Sequence, residues 1–241
     1  MTYKTAPPPA RSVLRVMDAE SSPPPDDLTS PQFARAALLT IDMQADFVSG
    51  AHSVPGTELI APAVAALARA FRDAGRPVVH MVRLYLPDGS NTDICRRSLI
   101  TSGTRLVAPH SPGSSLADGL APPGATPLDP GLLLSGRVQP LADREHVIYK
   151  PRWSAFYQTP LRQHLDGLGV STLVVAGCNY PNCPRATIYD ASARDYRLVI
   201  AEDATSGFGE HARPEMTGIA VRCLTAAAIE RLLRDTAGTA A

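Results

Sequence analysis

The stretch STLVVAGCNYPNCPRATIYD, residues 171–190, decides the fold, because in it a largely apolar run passes through a tight turn into a helical pattern. The run STLVVAG (171–177) is typical of a parallel strand that is buried on both faces. Proline is favoured in the first turn of a helix, so Pro184 predicts a helix over residues 185–196. A strand that leads directly into a helix indicates an α/β fold.

The same alternation extends through the rest of the chain. Apolar runs predict strands, which we place at 36–41, 77–85, 146–150 and 197–203, with a short sixth strand at 219–224. Helical spacing predicts helices at 57–75 and 159–169, and a last helix capped at Thr225. This alternation predicts a Rossmann-like α/β fold, in which a doubly wound, mostly parallel sheet of five to six strands carries helices on both faces.

The chain divides into an arm and a single domain. Residues 1–33 contain APPPA and SSPPPDDLTSP, and we expect them to form a proline-rich N-terminal arm that is extended or disordered. Residues 34–241 have the length of one large domain. Within it, residues 86–144 form a long irregular insertion with a short helix around 93–101, and such an insertion usually shapes a binding site or a subunit contact.

Composition excludes several classes of protein. The 241 residues include 23 basic and 23 acidic side chains, so the chain lacks the charge that binds nucleic acid or an anionic membrane. No apolar run approaches the roughly 20 residues of a membrane span, and the start is no secretory signal, so we expect a cytoplasmic protein. The four cysteines and six scattered histidines form neither a disulfide scaffold nor a ligand pattern, so we expect no metal and no cofactor.

Three reactive side chains follow predicted strands at one edge of the sheet. They are the carboxylate of Asp42, the amine of Lys150 and the thiol of Cys183. In open α/β sheets, ligands bind outside the carboxyl ends of the strands, so this edge is the candidate site. Asp42 could instead cap a helix or turn, and Lys150 could be an ordinary surface lysine, although the aromatic residues after it favour a partly desolvated pocket wall.

Cys183 directly precedes Pro184 and is therefore a candidate N-cap of the following helix. Free backbone N–H groups and the positive end of the helix dipole would lower the pKa of a thiol there from about 8.5 toward neutrality. An ammonium group on Lys150 would lower it further. Two alternatives remain open, namely an inert buried thiol and a disulfide with Cys178, which we otherwise interpret as a packing residue.

Three blocks of sequence together resemble the isochorismatase-like cysteine hydrolases, the superfamily of the nicotinamidases and N-carbamoylsarcosine amidases. The blocks are ALLTIDMQADF around Asp42, VIYKPRWSAFYQTPL around Lys150 and VVAGCNYPNCPRATIYDASARDYRLVIAEDATSG around Cys183. The resemblance covers roughly residues 34–235. It implies the isochorismatase-like hydrolase fold, a catalytic triad formed by these three residues, and assembly as a homodimer or homotetramer.

The resemblance also implies a particular backbone at the nucleophile. It places a cis peptide bond between Cys178 and Asn179, which without proline costs about 3–4 kcal/mol and so needs enforcing surroundings. It further implies an oxyanion hole formed by the backbone N–H groups of Asn179 and Cys183.

Residues close to these motifs in the sequence are candidates for binding a small substrate. The candidates are Phe47, Arg83, Trp153, Phe156, Tyr157 and Tyr180. Each aromatic residue could equally pack in the core. Arg83 or the neighbouring candidate Arg152 could hold a carboxylate or carbonyl, or could form a surface salt bridge.

Two departures from the family narrow the expected function. Nicotinamidases bind a metal through an Asp and a His pair after the second strand, but MVRLYLPDGSNTD (81–93) has no histidine after His80. The isochorismatases that cleave vinyl ethers lack the cysteine that this chain has at Cys183. We therefore expect a metal-independent amidohydrolase that cleaves a small amide or lactam through a thioester. The alternatives are ether or ester cleavage, an inactive binding subunit, and thiol redox chemistry.

Overall fold

A computed structural model of the protein describes residues 28–238. Residues 1–27, which make up most of the predicted proline-rich arm, lie outside the described residues. The first element of the described residues is a 3-10 turn at Phe33–Arg35, and it leads directly into the first strand.

One sheet organises the described part of the chain. Its strands are β1 (Ala36–Ile41), β2 (Val78–Val82), β3 (Gln139–Ala142), β4 (Glu145–Tyr149), β5 (Thr172–Gly177), β6 (Arg197–Thr205) and β7 (Arg222–Leu224). They lie in the order β3-β4-β2-β1-β5-β6-β7, and every neighbouring pair is parallel except β3 and β4. The predicted fold class is confirmed, but the sheet has seven strands instead of five or six. β3 escaped prediction because its four residues, QPLA, include a proline and are half exposed.

Helices cover both faces of this sheet. They are α1 (Ala45–Val48), α2 (Thr57–Asp73), α3 (Ile94–Thr101), α4 (Pro130–Leu134), α5 (Leu161–Gly167), α6 (Cys183–Ser192), α7 (Ala212–Gly218) and α8 (Ala226–Gly238). The short helix predicted in the insertion is α3, and the hydroxyl of Thr225 accepts from the N–H of Ala228, as its predicted capping role requires. Within residues 28–238, no helix combines the length and the apolar composition that crossing a bilayer requires.

The central strand β1 explains why the sheet is covered twice. All six of its residues are buried, and successive side chains point to opposite faces. Leu38 belongs to the cluster shared with α2 and α8, whereas Leu39 belongs to the cluster shared with α5, α6 and α7. Each fully buried side chain of this kind contributes about 1.5–3 kcal/mol.

The sheet has its topological switch point at β1. The chain moves from β1 toward β2 and β4 on one side, and later returns to place β5 on the other side. Asp42 follows β1, Arg83 follows β2, Lys150 follows β4, and the turn to α6 follows β5. The crevice outside these strand ends is the usual ligand position in such sheets.

The turn from β5 to α6 depends on Gly177, which has a φ of 120°. A Cβ atom added at Gly177 would lie 2.3 Å from the carbonyl oxygen of Ile41, so a side chain cannot fit there. Cys178 then donates its N–H to the same oxygen at 2.9 Å. No cis peptide bond occurs in residues 28–238, so the expected cis bond between Cys178 and Asn179 is wrong. The glycine makes the reversal itself, and the next bond keeps the trans form that non-proline residues prefer.

Candidate active site

The structure brings the carboxylate, the amine and the thiol into one buried cluster. Lys150 Nζ donates to Asp42 Oδ2 at 2.8 Å and lies 3.5 Å from the carbonyl oxygen of Arg152. Lys150 is 0% exposed, Asp42 3% and Cys183 2%. A lysine buried to this degree needs a charged partner, which Asp42 provides. The surface interpretation of Lys150 is therefore wrong.

Asp42 has the features of a base that is held ready. Its φ of 53° lies in the left-handed region, which is costly for a residue with a side chain, and its N–H donates to the carbonyl of Met81 at 2.9 Å. Oδ1 is buried and has no hydrogen-bond partner among the described residues. Gln44, not Asp42, occupies the N-cap position of α1, so the capping interpretation is also wrong.

Cys183 differs from its predicted local environment in two ways. The N-cap of α6 is Asn182, and Cys183 is the first residue within the helix. Burial and the nearby charge of Asp42 raise the pKa of the Cys183 thiol, while Lys150 and Arg83 act in the lowering direction without prevailing. The expected low pKa is therefore wrong. The prediction counted the ammonium group of Lys150 and the helix dipole but not the loss of water or the adjacent carboxylate.

Arg83 contacts the thiol itself. Its Nη2 lies 3.7 Å from Cys183 Sγ, and its Nε lies 3.9 Å from Asp42 Oδ1. Nη1 is 2.9 Å from Asp93 Oδ2, which is an ion-pair distance, although the angle is outside the range of a hydrogen bond. Burial alone would lower the pKa of Arg83, but the surrounding acidic groups raise it overall. Arg83 is fully buried, so the surface salt bridge considered for it does not form.

Gln44 is a site residue that the sequence analysis missed. Its side-chain Nε2 donates to the carbonyl of Arg83 at 2.8 Å, and its Oε1 accepts from the N–H of Arg83 at 2.7 Å. The amide therefore pairs with one peptide group as a neighbouring strand would, and it fixes the backbone that carries the guanidinium. The one signal available was a polar residue in the otherwise apolar part of IDMQADF.

Three further residues reach the site from the segment after β2 and from the insertion, and they too were missed. Tyr85 Oη donates to Asp93 Oδ2 at 3.3 Å, and Arg96 Nη1 donates to Tyr85 Oη at 3.1 Å. Asp93 is the N-cap residue of α3, and Arg96 lies in its first turn. No local pattern marks them, because the contacts join the segment after β2 to the start of α3, whose position next to the site the sequence does not show.

The predicted aromatic residues do not form a common wall. Phe156 stacks on Tyr196 with ring centroids 5.8 Å apart, and the Tyr180 hydroxyl donates to Glu215 at 2.8 Å. Both side chains are thus used in packing on the α6 side of the sheet, as the core alternative stated. Phe47 is buried beneath Arg96, whose Cζ lies 5.9 Å from the ring centroid. Trp153 and Tyr157 are exposed by 39% and 47%.

The turn that precedes α6 contains both bonded and unbonded backbone donors. Tyr180 donates its N–H to Ser206 at 2.7 Å and Asn182 donates to Asn179 at 3.1 Å, so the turn is internally fixed. In residues 28–238, no acceptor is hydrogen-bonded to the N–H of Asn179 or Cys183. These two donors are the pair that the resemblance implied for an oxyanion hole.

The remaining cysteines and histidines have other surroundings. All four cysteines are free thiols, so the Cys178–Cys183 disulfide is not formed, and burial raises the pKa of Cys178 to about 12. His80 is bonded to Thr40 and Glu145 through its two ring nitrogens, at 2.7 Å each. Among the described residues, no three His, Cys, Asp or Glu side chains are grouped to hold a metal ion.

Comparison with known proteins gives matches over most of the chain. The family model of the isochorismatase domain matches residues 36–228. A protein of Arabidopsis thaliana named as a probable inactive nicotinamidase is 33% identical over 178 residues, which are 73% of this chain and 82% of that protein. The N-carbamoylsarcosine amidase of an Arthrobacter species is 31% identical over 172 residues, which are 70% of this chain but only 58% of the amidase.

A solved structure agrees with these matches. It is the isochorismatase family protein from Desulfovibrio vulgaris, which superposes with a TM-score of 0.70 at 32% identity. The match covers 83% of this chain and 98% of that protein.

Proposed function

Because the chain belongs to the isochorismatase family, we propose that it is a cysteine amidohydrolase that cleaves the C–N bond of a small amide or lactam through a thioester on Cys183. One observation carries the proposal. A buried thiol shares its site with a carboxylate that has one unpartnered oxygen and with two cations, and the turn before it leaves the N–H groups of Asn179 and Cys183 without an acceptor among the described residues. These are the parts that nucleophilic acyl transfer requires.

The first half-reaction begins with a neutral thiol, as the raised pKa of Cys183 indicates. Oδ1 of Asp42 takes the thiol proton while the sulfur forms a bond to the substrate carbonyl carbon. The carbonyl π electrons move to oxygen, and this oxyanion accepts from the N–H groups of Asn179 and Cys183. One such donor is typically worth about 3–4 kcal/mol in the transition state. The C–N bond then breaks, the amine leaves with the proton from Asp42, and a thioester remains.

The second half-reaction returns the enzyme to its starting state. Asp42 accepts a proton from water, and the hydroxide oxygen bonds to the thioester carbon. The C–S bond breaks as the oxyanion collapses, and the sulfur regains a proton from Asp42. The product is a carboxylic acid. The proposed steps need only residues of this chain and water.

Lys150 and Arg83 have related roles in this scheme. Lys150 holds the orientation of Asp42 through Oδ2 and keeps Oδ1 free for the proton. Arg83 lies against the sulfur and offsets the negative charge that forms there. Burial strongly disfavours the thiolate form of Cys183, and two nearby cations offset part of this cost.

The relatives give the proposal its direction and its main alternative. A relative named as an amidase supports cleavage of a C–N bond. A relative named as a probable inactive nicotinamidase supports the alternative that this chain is an inactive binding subunit. The intact set of Asp42, Lys150 and Cys183 favours activity over the binding alternative. Cleavage of an ether or ester on this fold is the second alternative.

The test is to trap the covalent intermediate. We expect incubation with a library of small amides, lactams and ureido acids, followed by acid quench and intact mass, to give an adduct that maps to Cys183. Cys183→Ser is the matched variant, and we expect it to hydrolyse every substrate found in the library much more slowly than wild type. Two results would contradict the proposal: an unreactive Cys183 with no turnover in the library, or cleavage of a vinyl ether that persists in Cys183→Ala.

A further inference from the structure

Glu215 of α7 accepts hydrogen bonds from the segment that carries the nucleophile. Its Oε2 accepts from the hydroxyl of Tyr180 at 2.8 Å, and its Oε1 accepts from Nε of Arg185 at 2.6 Å and from the hydroxyl of Tyr189 at 2.8 Å. Tyr180 lies in the turn before α6, whereas Arg185 and Tyr189 lie on α6 itself. One carboxylate thus ties the turn and the helix on either side of Cys183 to a third element. The proposed mechanism gives no role to this contact.

Tyr180 is held through its backbone, its ring and its hydroxyl. Its N–H donates to the carbonyl of Ser206 at 2.7 Å, and its carbonyl accepts from the N–H of Arg185 at 3.2 Å. Its ring packs edge to face on Phe208, with centroids 5.1 Å apart. The residue is 5% exposed, and Glu215 is the acceptor of its hydroxyl among the described residues. These contacts together fix one orientation of Tyr180.

The turn needs such support because it has few backbone hydrogen bonds of its own. Pro181 has no N–H, and within residues 28–238 the N–H groups of Asn179 and Cys183 have no acceptor. Asn182, the N-cap of α6, makes no side-chain capping bond in the described part of the chain. Donors that stay free for a substrate oxygen cannot hold the turn themselves, so other contacts must fix it before the substrate binds.

The Tyr180 contact differs from an ordinary ion pair on the surface. The side chain of Arg185 is 46% exposed, and such a pair contributes little on its own because water competes for both charges. The hydrogen bond from Arg185 is nevertheless the main cause that lowers the pKa of Glu215, so Glu215 is ionised at neutral pH. An ionised carboxylate is a strong acceptor for the hydroxyl of a buried tyrosine. Arg185 therefore supports the acceptor, and Tyr180 connects it to the turn.

We propose that Glu215 is a positioning residue for the oxyanion hole, which acts through the Tyr180 hydroxyl to fix the turn that carries the N–H groups of Asn179 and Cys183. The inference rests on the proposed function and deepens it, because it identifies the contact from α7 that holds the oxyanion donors in place. Loss of this contact should slow reactions of the thiol in which negative charge forms on a carbonyl oxygen. It should spare reactions in which no oxyanion forms.

Two reagents that differ in this respect test the inference without a known substrate. When p-nitrophenyl acetate acetylates a thiol, the sulfur bonds to the carbonyl carbon, the carbonyl electrons move to oxygen, and p-nitrophenolate leaves as the C–O bond breaks. Iodoacetamide alkylates a thiol by displacing iodide from a saturated carbon, so no oxyanion forms. The quantity measured is the rate of acetylation divided by the rate of alkylation at Cys183, with acid quench and peptide mass mapping. Thiol deprotonation enters both rates and cancels in the ratio.

Variants of the cluster assign the effect to one contact. Tyr180→Phe removes the hydroxyl and keeps the ring on Phe208, whereas Glu215→Ala removes the acceptor. Each should lower the ratio about tenfold, which is part of the roughly 10²–10³-fold that loss of a whole oxyanion donor costs. The double variant should lower it no further than Glu215→Ala, because both substitutions remove the same contact. Tyr189→Phe is the matched control, since it removes another hydroxyl from the same carboxylate, and it should stay within twofold of wild type.

The outcomes separate the two proposals. A ratio in Tyr180→Phe and Glu215→Ala within twofold of wild type, with Cys183 still reactive, would overturn the inference and leave the amidohydrolase standing. An equal fall in both rates would overturn it too, because it would indicate a purely structural role. A wild-type Cys183 that reacts with iodoacetamide but never forms the acetyl thioester would overturn both proposals.

Two further measurements complete the test. If Glu215→Ala does not fold, Tyr180→Phe decides the question alone, because it keeps the packed ring. Once a substrate is found, Glu215→Ala should lower kcat and kcat/KM by the same factor and leave KM nearly unchanged. A rise in KM at constant kcat would contradict the inference, because it would indicate a role in binding the substrate.

Discussion

Asp42 and Arg83 show what a single position can and cannot reveal in a sequence. The sequence shows that Asp42, Lys150 and Cys183 each follow a predicted strand. Because the strand ends of such a sheet meet at one edge, these three residues could be predicted to share a site. The role of Arg83 was not visible, since its contact with Cys183 joins residues 100 positions apart. The sequence did not show how deeply the Cys183 thiol is buried, and this burial reversed the expected direction of its pKa shift.

The buried Arg83 gives a prediction at this scale. Arg83→Gln removes the cation at the sulfur and leaves the buried carboxylate of Asp93 without a cation, with only the Tyr85 hydroxyl beside it among the described residues, so we expect a loss of about 3–5 kcal/mol in the free energy of unfolding. The same variant should shift the pH profile of Cys183 alkylation to higher pH, because a cation that lowers the thiol pKa is gone. Urea denaturation and alkylation rates measure the two effects.

A double variant separates the stability of Arg83 from its chemistry. Arg83→Gln with Asp93→Asn removes both charges and should recover most of the lost stability. The alkylation profile should nevertheless stay displaced, because the sulfur still lacks its cation. If the double variant recovers both the stability and the wild-type pH profile of Cys183 alkylation, Arg83 affects the thiol only by stabilising the fold.

At the level of elements, apolar runs made the parallel strands predictable, whereas the short strand β3 and the turn after β5 depend on features that such runs do not show. β3 is short, half exposed and contains a proline, so no run marked it. The turn after β5 was expected to need a cis peptide, but the left-handed backbone at Gly177 makes the reversal. A glycine before two cysteines is visible in the sequence, but its φ and its distance to Ile41 are not.

This turn gives the second prediction. Gly177→Ala places a methyl group 2.3 Å from the Ile41 carbonyl oxygen at a φ of 120°, so β1 and β5 must separate. We expect a loss of about 2–4 kcal/mol in the free energy of unfolding, or failure to fold. Gly167→Ala is the matched control, because nothing lies within 4 Å of its added Cβ in α5, and it should be neutral or stabilising by up to about 1 kcal/mol. Equal effects of the two substitutions would contradict this account of the turn.

On the scale of the whole molecule, the doubly wound sheet followed from the alternation of patterns, and it is confirmed by the strand order. What the pattern could not show is how the buried polar groups combine. Thr40, His80, Glu145 and Arg72 form one chain of contacts that ties β1, β2 and β4 to α2. His146 and His164 meet edge to face with centroids 4.4 Å apart and join β4 to α5.

These histidines give a prediction for the stability of the whole fold. Burial lowers the pKa of His80, His146 and His164 from the ordinary value of 6.5 in each case. Below pH 6.5 the unfolded chain therefore binds protons that the folded chain does not, and stability falls as the pH falls. Each such proton contributes a slope of about 1.4 kcal/mol per pH unit.

The measurement is the urea midpoint between pH 8 and pH 5. We expect a plateau above about pH 7 and a steep decline below about pH 6. A variant with His146→Gln and His164→Gln should have a shallower decline, since two of the titrating groups are gone. A flat profile in wild type, or an identical slope in the double variant, would contradict the assignment.

The two outermost strands have a consequence for handling the protein at high concentration. β3 has four residues and includes Pro140, which lacks an N–H, and β7 has three residues. Open strand edges are where foreign chains add and amyloid-like stacking starts, and short edges or edges interrupted by proline resist this. The sheet therefore offers little template for edge-to-edge polymerisation, even though its interior strands are as apolar as those of aggregating peptides.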